Sequence, residues 1–123
     1  MRYNEAFNLS YLAWLSQHAA TREEAREIAR IIPSSRTYIL LGQAYRRLGL
    51  RDSAKYAFQQ AARMVPARVT PRYYLWEMYA REGDHRSARA MAHEILATRV
   101  KVETTFTLRA KANVKRYLDE TRE

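Results

Sequence analysis

The side chains equipped for catalysis are few and badly spaced for it. His85 and the pair His93-Glu94 stand eight and nine positions apart on one expected helix, more than two turns and too far for a compact ligand pair. His18 lies just before an expected turn, so the histidines read as surface residues rather than metal ligands. Asp52, Asp84 and Asp119 have no partner at a spacing that would make one carboxyl an acid and another a base. Neither HExxH nor GxSxG occurs, and glycine stands only at 42, 49 and 83, so no glycine loop can cradle a phosphate. Cysteine is absent, which excludes thiol chemistry and disulfides. The expectation is a non-enzyme with no catalytic residues, no cofactor and no metal.

What remains is recognition chemistry. Eighteen of the 22 basic residues are arginine, against 13 Asp and Glu, for a formal charge of +9. One reading is a basic helical repeat that binds nucleic acid. The other is that the charges, which form no dense run, are solvated helix surface. Nine tyrosines could stack on bases. However, Tyr11, Tyr38, Tyr45 and Tyr79 fall on core positions of the pattern below, and the surface aromatics expected are Tyr3, Tyr73 and Tyr74.

The elements that must position these groups are helices. Hydrophobic residues make up 47% of 123, and the three Gly and three Pro sit at or near helix ends, Gly42 excepted. No run of alternating β-branched residues points to a sheet, so the fold class is all-α. No apolar stretch approaches the roughly 18 residues of a membrane span. The opening segment lacks the apolar run of a signal peptide. A soluble single domain over 1–123 is expected, and nothing assigns a compartment.

Residues 36–66 organise the rest. Tyr38, Leu41, Gly42 and Tyr45 share one face of a first helix, and Ala54, Phe58 and Ala61 share one face of a second, which Pro66 ends. Small residues let the two backbones approach, and aromatics fill the space around them. Tyr45, Gly49 and Ala54 recur at one constant step as Tyr79, Gly83 and Ala88, and Tyr11 and Ala20 precede Tyr45 and Ala54 by the same step. That step, thirty-four positions, and the motif together resemble the tetratricopeptide repeat, a helix-turn-helix unit. Tyr38, Leu41, Gly42, Tyr45, Ala54, Phe58, Ala61 and Pro66 meet that family's aromatic, Leu-Gly, Tyr, Ala, aromatic, Ala and Pro offsets.

The resemblance implies an α-solenoid of about three helical hairpins plus a C-terminal capping helix. Residues 1–34 form a degenerate repeat, 35–68 a well-matched one, 69–102 a divergent one and 103–123 the cap. In the first, a helix over 3–18 carries Phe7, Leu9, Leu12, Trp14 and Leu15 around much of its circumference. Thr21 with Glu24 makes a capping box for the next helix, which Pro33 closes, and the turn between the two is expected to be one residue longer than in the central repeat. Ser34 or Ser35 caps the third helix, and Thr70-Pro71 starts the fifth as N-cap and first helical residue. Asp84 or Ser87 caps the sixth. In the third repeat Trp76 replaces the signature Gly, which loosens the helix contact. Val100 and Val102 anchor the exit, and a last helix from about Thr104 to Asp119 presents Phe106, Ala110, Val114 and Tyr117 or Leu118 in one stripe.

The resemblance also implies a concave groove that binds a protein or peptide. By offset its positions are Arg36, Ile39, Gln43, Arg46 and Arg47, then Thr70, Tyr73, Glu77, Ala80 and Arg81. The family's clamp for chaperone tails is missing, since Ile39, Gln43 and Tyr74 stand near its offsets. Arg46, Arg47 and Arg81, with Ile39 and Tyr73, imply an acidic partner segment with an apolar anchor. The segments MVPARVTPRYYLWEMYAREGD and MAHEILATRVKVETT further resemble the C-terminal repeat tail of bacterial O-antigen polymerase and ligase-like membrane proteins. A non-catalytic scaffold tethered to such a protein is the resulting expectation.

Overall fold

The computed structural model describes residues 5–31 and 33–122. Helices α1 (Glu5–His18), α2 (Arg22–Ile31), α3 (Ser35–Arg47), α4 (Arg51–Met64), α5 (Thr70–Arg81), α6 (His85–Ala97) and α7 (Thr105–Glu120) account for its regular structure, with no strand among the described residues. Tyr3 and Ile32 lie outside the described residues, as do the side chains of Phe7 and Leu9. The chain divides into two compact units, Met1–Met64 and Val65–Glu123.

In the first unit α1, α2 and α4 all pack on α3. The α3–α4 contact is the closest the sequence allows. A Cβ on Gly42 would stand 2.5 to 2.8 Å from three ring carbons of Phe58, well inside the roughly 3.5–4.0 Å of ordinary carbon contact. Phe58 is fully buried, with Ala54, Ala57 and Ala61 beside it on the same helix. Ser35 adds a bond, its hydroxyl donating to the Ala61 carbonyl at 3.2 Å. Ser34 rather than Ser35 is the N-cap, its oxygen accepting from the Thr37 amide while the Thr37 hydroxyl accepts from the Ser34 amide. Thr21 accepts from the Glu24 amide at 3.1 Å, but the Glu24 carboxylate reaches the amide of Ala20, one residue before the cap.

The turn that joins α3 to α4 is repeated in the second unit. Leu50 N–H donates to Tyr45 O at 2.9 Å and Gly49 N–H to Arg46 O at 3.1 Å, with Gly49 at φ +79°. One repeat further on, Asp84 N–H donates to Tyr79 O at 3.0 Å and Gly83 N–H to Ala80 O at 3.2 Å, with Gly83 at φ +75°. Both are helix terminations in which a left-handed residue, cheap only for glycine, turns the chain back to satisfy orphan carbonyls. The next helix then opens on Ala54 N–H to Leu50 O and on Ala88 N–H to Asp84 O.

The first hairpin departs from that step. From the start of α4 at Arg51 to that of α6 at His85 is one full repeat, but the start of α2 at Arg22 precedes Arg51 by five positions less. The α1–α2 turn, 19–21, is as long as the α3–α4 turn, 48–50, so the expected longer turn is incorrect. The shortfall lies in α2, ten residues against fourteen in α4, and in the link to the following helix, 32–34 against 65–69, offset by α3 being one residue longer than α5. Ala25 is therefore the counterpart of Ala54, while Ala20 and Tyr11 are exposed.

In the second unit Val69, Ala92, Ile95, Ala110, Val114 and Leu118 form the core, with Tyr73, Trp76, Met91 and Val100 packed against it. Val69 occupies the N-cap position of α5 in helical geometry, with no side-chain cap, and Thr70 stands inside the helix. Burial of Val69 fixes this start, so the expected Thr70 cap is corrected. Asp84 caps α6, accepting from the Ser87 amide at 3.2 Å. Trp76 is half-buried and meets Tyr117 of α7 edge-on at 5.6 Å, so α7 fills the space that the missing glycine would have closed. Val102 is exposed and anchors nothing; Val100 alone packs.

Candidate functional site

The expected groove positions have different fates. Arg36 is exposed, Gln43 and Arg46 are half-buried, and Ile39 is buried, so Ile39 offers no apolar surface. Arg47 is occupied. Its Nε donates to Ser16 O at 3.4 Å and its Nη2 to Ala19 O, at the end of α1, where unpaired carbonyls and the negative end of the helix dipole favour a cation. In the second unit Thr70 and Ala80 are half-buried. Tyr73 is no surface aromatic, because its ring lies 5.5 Å from Phe106 and its hydroxyl accepts from Asn113 at 2.8 Å. Glu77 and Arg81 approach to 3.9 Å on their own helix.

A cleft of about 480 Å³ opens elsewhere on the first unit. Arg22, Arg26, Ala29 and Arg30 of α2 form one wall, Asp52, Ser53 and Tyr56 of α4 the other, and Tyr38, Leu41 and Tyr45 of α3 the floor. The three arginines stand at i, i+4 and i+8, in one stripe along the helix. Glu23 and Glu27 project about 100° around the axis from Arg22 and Arg26, and stand at i,i+3 from Arg26 and Arg30. Like charges at i,i+4 cost a helix roughly 0.2–0.5 kcal/mol per pair. Arg22 donates to the Ser53 hydroxyl at 2.7 Å, which ties α2 to α4. Among the described residues Arg26, Arg30 and Asp52 have no ion-pair partner. Tyr56, 60% exposed, caps the open side. The arginine row could have been found in the sequence by its spacing; the aromatic floor could not, since it depends on how α3 packs.

A larger cavity in the second unit, about 660 Å³, is lined by His85, Arg86, Arg89, Thr121 and Arg122. Two of its three arginines are engaged. Arg89 donates to Leu118 O at 3.1 Å and to the Thr121 hydroxyl at 2.6 Å, and Arg122 lies 3.8 Å from Asp119. His85 Nδ1 and the Tyr117 hydroxyl share a 2.6 Å hydrogen bond. Burial pushes the Tyr117 phenol up, Arg89 opposing and Asp84 adding. At the start of α7 the Glu103 carboxyl is held below the usual range by hydrogen bonds from Lys111 and then Thr107. On α1, Trp14 stacks between Tyr11 at 6.4 Å and His18 at 4.7 Å on an exposed face.

Among the described residues no group of three or more His, Asp or Glu could hold a metal, and no helix is long and apolar enough to cross a membrane. No protein-family model matches the sequence, and comparison with curated proteins finds no match.

Proposed function

We propose that the chain is a non-catalytic scaffold of the tetratricopeptide kind, an α-solenoid module that holds a protein or peptide partner. The observation that carries this reading is the turn geometry. Equivalent carbonyls and amides, one repeat apart, close the α3–α4 and α5–α6 hairpins around a left-handed glycine. A lone hairpin cannot bury its own apolar faces, so duplicated hairpins are the mark of a stacked repeat. Repeats of this kind are built to present surface, and the sequence carries no catalytic motif to give that surface another use. We further propose that the module belongs to the C-terminal part of a cell-envelope glycan polymerase or ligase, on the resemblance of residues 64–84 and 91–105.

A displayed peptide library tests the scaffold reading, with nucleic acid as the competing ligand. Recovery of peptides that bind the purified chain in the micromolar range supports it. A chain that binds no peptide, but binds oligonucleotides with affinity falling steeply as salt rises, refutes it in favour of a basic nucleic-acid-binding repeat. The full-length gene product tests the second proposal, which fails if it encodes no membrane spans.

A further inference from the structure

We propose that the α2–α4 cleft of the first unit binds an extended acidic segment of a protein partner. Carboxylates at alternate positions would lie on the row Arg22, Arg26 and Arg30, with an apolar side chain against Tyr38 and Tyr56. The inference rests on the scaffold reading and moves the recognition surface from the expected arginines, of which Arg47 is already bound, to a row in an open cleft. In that row Arg22 holds Ser53, and Arg26 and Arg30 have no ion-pair partner among the described residues.

Spacing supports the choice of ligand. Successive arginines in the row are about 6 Å apart along the helix axis, at roughly 1.5 Å per residue. Alternate residues of an extended chain are about 6.6 Å apart and point the same way. Over three positions the two ladders drift by only about 1 Å, which flexible arginine stems absorb. Each guanidinium can then take a carboxylate bidentately, fixing orientation as well as adding attraction.

Charge and polarity narrow the class further. The cleft carries Arg22, Arg26 and Arg30 against the single carboxylate of Asp52. The Asp52 carboxylate can accept from a peptide N–H and repels a phosphodiester backbone, which has no donor to offer it. Leu41, Ala29 and the tyrosines give the floor an apolar character suited to a side chain rather than to a sugar-phosphate strand.

The test is fluorescence anisotropy on the intact chain with four labelled probes. These are a peptide with Glu at three alternate positions followed by Phe, an isomer with the three Glu contiguous, a version with Gln for Glu, and oligothymidine. The alternating peptide should bind wild type about tenfold tighter than the Gln version and about threefold tighter than the contiguous isomer. R26Q/R30Q should lose about tenfold, while R86Q/R122Q at the other cavity should stay within about twofold. Arg26 and Arg30 are exposed and repel each other along α2, so the thermal melt should not fall; Tyr56→Ala is a second variant, with the same loss expected. Equal binding by wild type and both cleft variants overturns the proposal, as does a contiguous isomer that binds as well, or oligothymidine that binds more tightly through the same arginines. Neutral peptides bound regardless of Arg26 and Arg30 would sink this inference and leave the scaffold standing; no peptide binding at all would sink both.

Discussion

Replacing Gly42 by alanine sets two effects of opposite sign against each other. In a helix interior alanine is favoured over glycine by about 1 kcal/mol, so an unhindered site would be stabilised. At position 42 the new methyl would meet Phe58 ring carbons at 2.5, 2.7 and 2.8 Å. Relief requires the ring to retreat by about 1 Å, since ordinary carbon contact is near 3.5–4.0 Å. Phe58 is fully buried among small residues and has no open side to retreat into. Overpacking of this kind costs about 1–3 kcal/mol, and the size of the overlap places it at the upper end. The net expectation is destabilisation by about 1–2 kcal/mol. Urea denaturation followed by far-ultraviolet circular dichroism reads it as a lowered midpoint with unchanged slope. Combining Gly42→Ala with Phe58→Leu, which withdraws the ring, should cost less than the sum of the two singles by about 0.5 kcal/mol or more. A Gly42→Ala protein as stable as wild type, or strict additivity in the cycle, would refute the close α3–α4 contact.

Phe58→Ala should cost about 3–5 kcal/mol, while Tyr56→Ala on the same helix should stay within about 0.5 kcal/mol, and equal denaturation midpoints would contradict this placement. Arg47→Met should cost about 1–2 kcal/mol by leaving the α1 carbonyls unpaired, with Arg47→Lys recovering only part. Unchanged stability would return Arg47 to the pool of free cations. The Glu103 carboxyl should titrate below ordinary glutamates by carbon NMR, and Lys111→Met should raise it. Its depressed folded value means a contribution present above the unfolded pKa and lost as acidification passes the folded one. A Glu103 titration unmoved by Lys111→Met would show that the pair does not form.

The hairpins of residues 35–64 and 70–97 were legible because glycine marks their turns. Gly49 and Gly83 take a conformation other residues adopt only at a cost, so their recurrence one repeat apart carried geometric information. The α1–α2 turn is Ala19, Ala20 and Thr21, with no glycine to locate it. Thr21 and Glu24 still marked the start of α2, but extrapolating the same step backwards paired Tyr11 with Tyr45 and Ala20 with Ala54, five positions off, and put Tyr11 in the core. Val69 hid the start of α5 for a different reason: Thr70-Pro71 is a strong local signal, and burial of the preceding valine overrides it. Tyr73 misled in the same way, since α7 packs beside α5 and its Phe106 covers what an isolated repeat would expose.

Arginine is where sequence reasoning was least able to tell structure from function. Arg47 serves the end of α1, Arg89 the carbonyl of Leu118 near the end of α7, and Arg72 the carbonyls of Pro66 and Arg68. The Arg47 and Arg89 contacts join positions 28 to 31 apart in sequence, so no local window contains both partners. A guanidinium spent on a helix end still counts toward the formal +9, which therefore overstates the charge free to meet a phosphate backbone. The row on α2 differs in kind. Its spacing sets like charges against one another, and none of its three members has an ion-pair partner among the described residues. A helix stabilises itself by pairing its charges at i,i+4, as Glu77 and Arg81 do on α5. On α2, Glu23 and Glu27 stand within i,i+3 reach of Arg26 and Arg30, yet no ion pair closes among the described residues. The two guanidiniums lie beside the aromatic floor, where the proposed anionic segment would meet them.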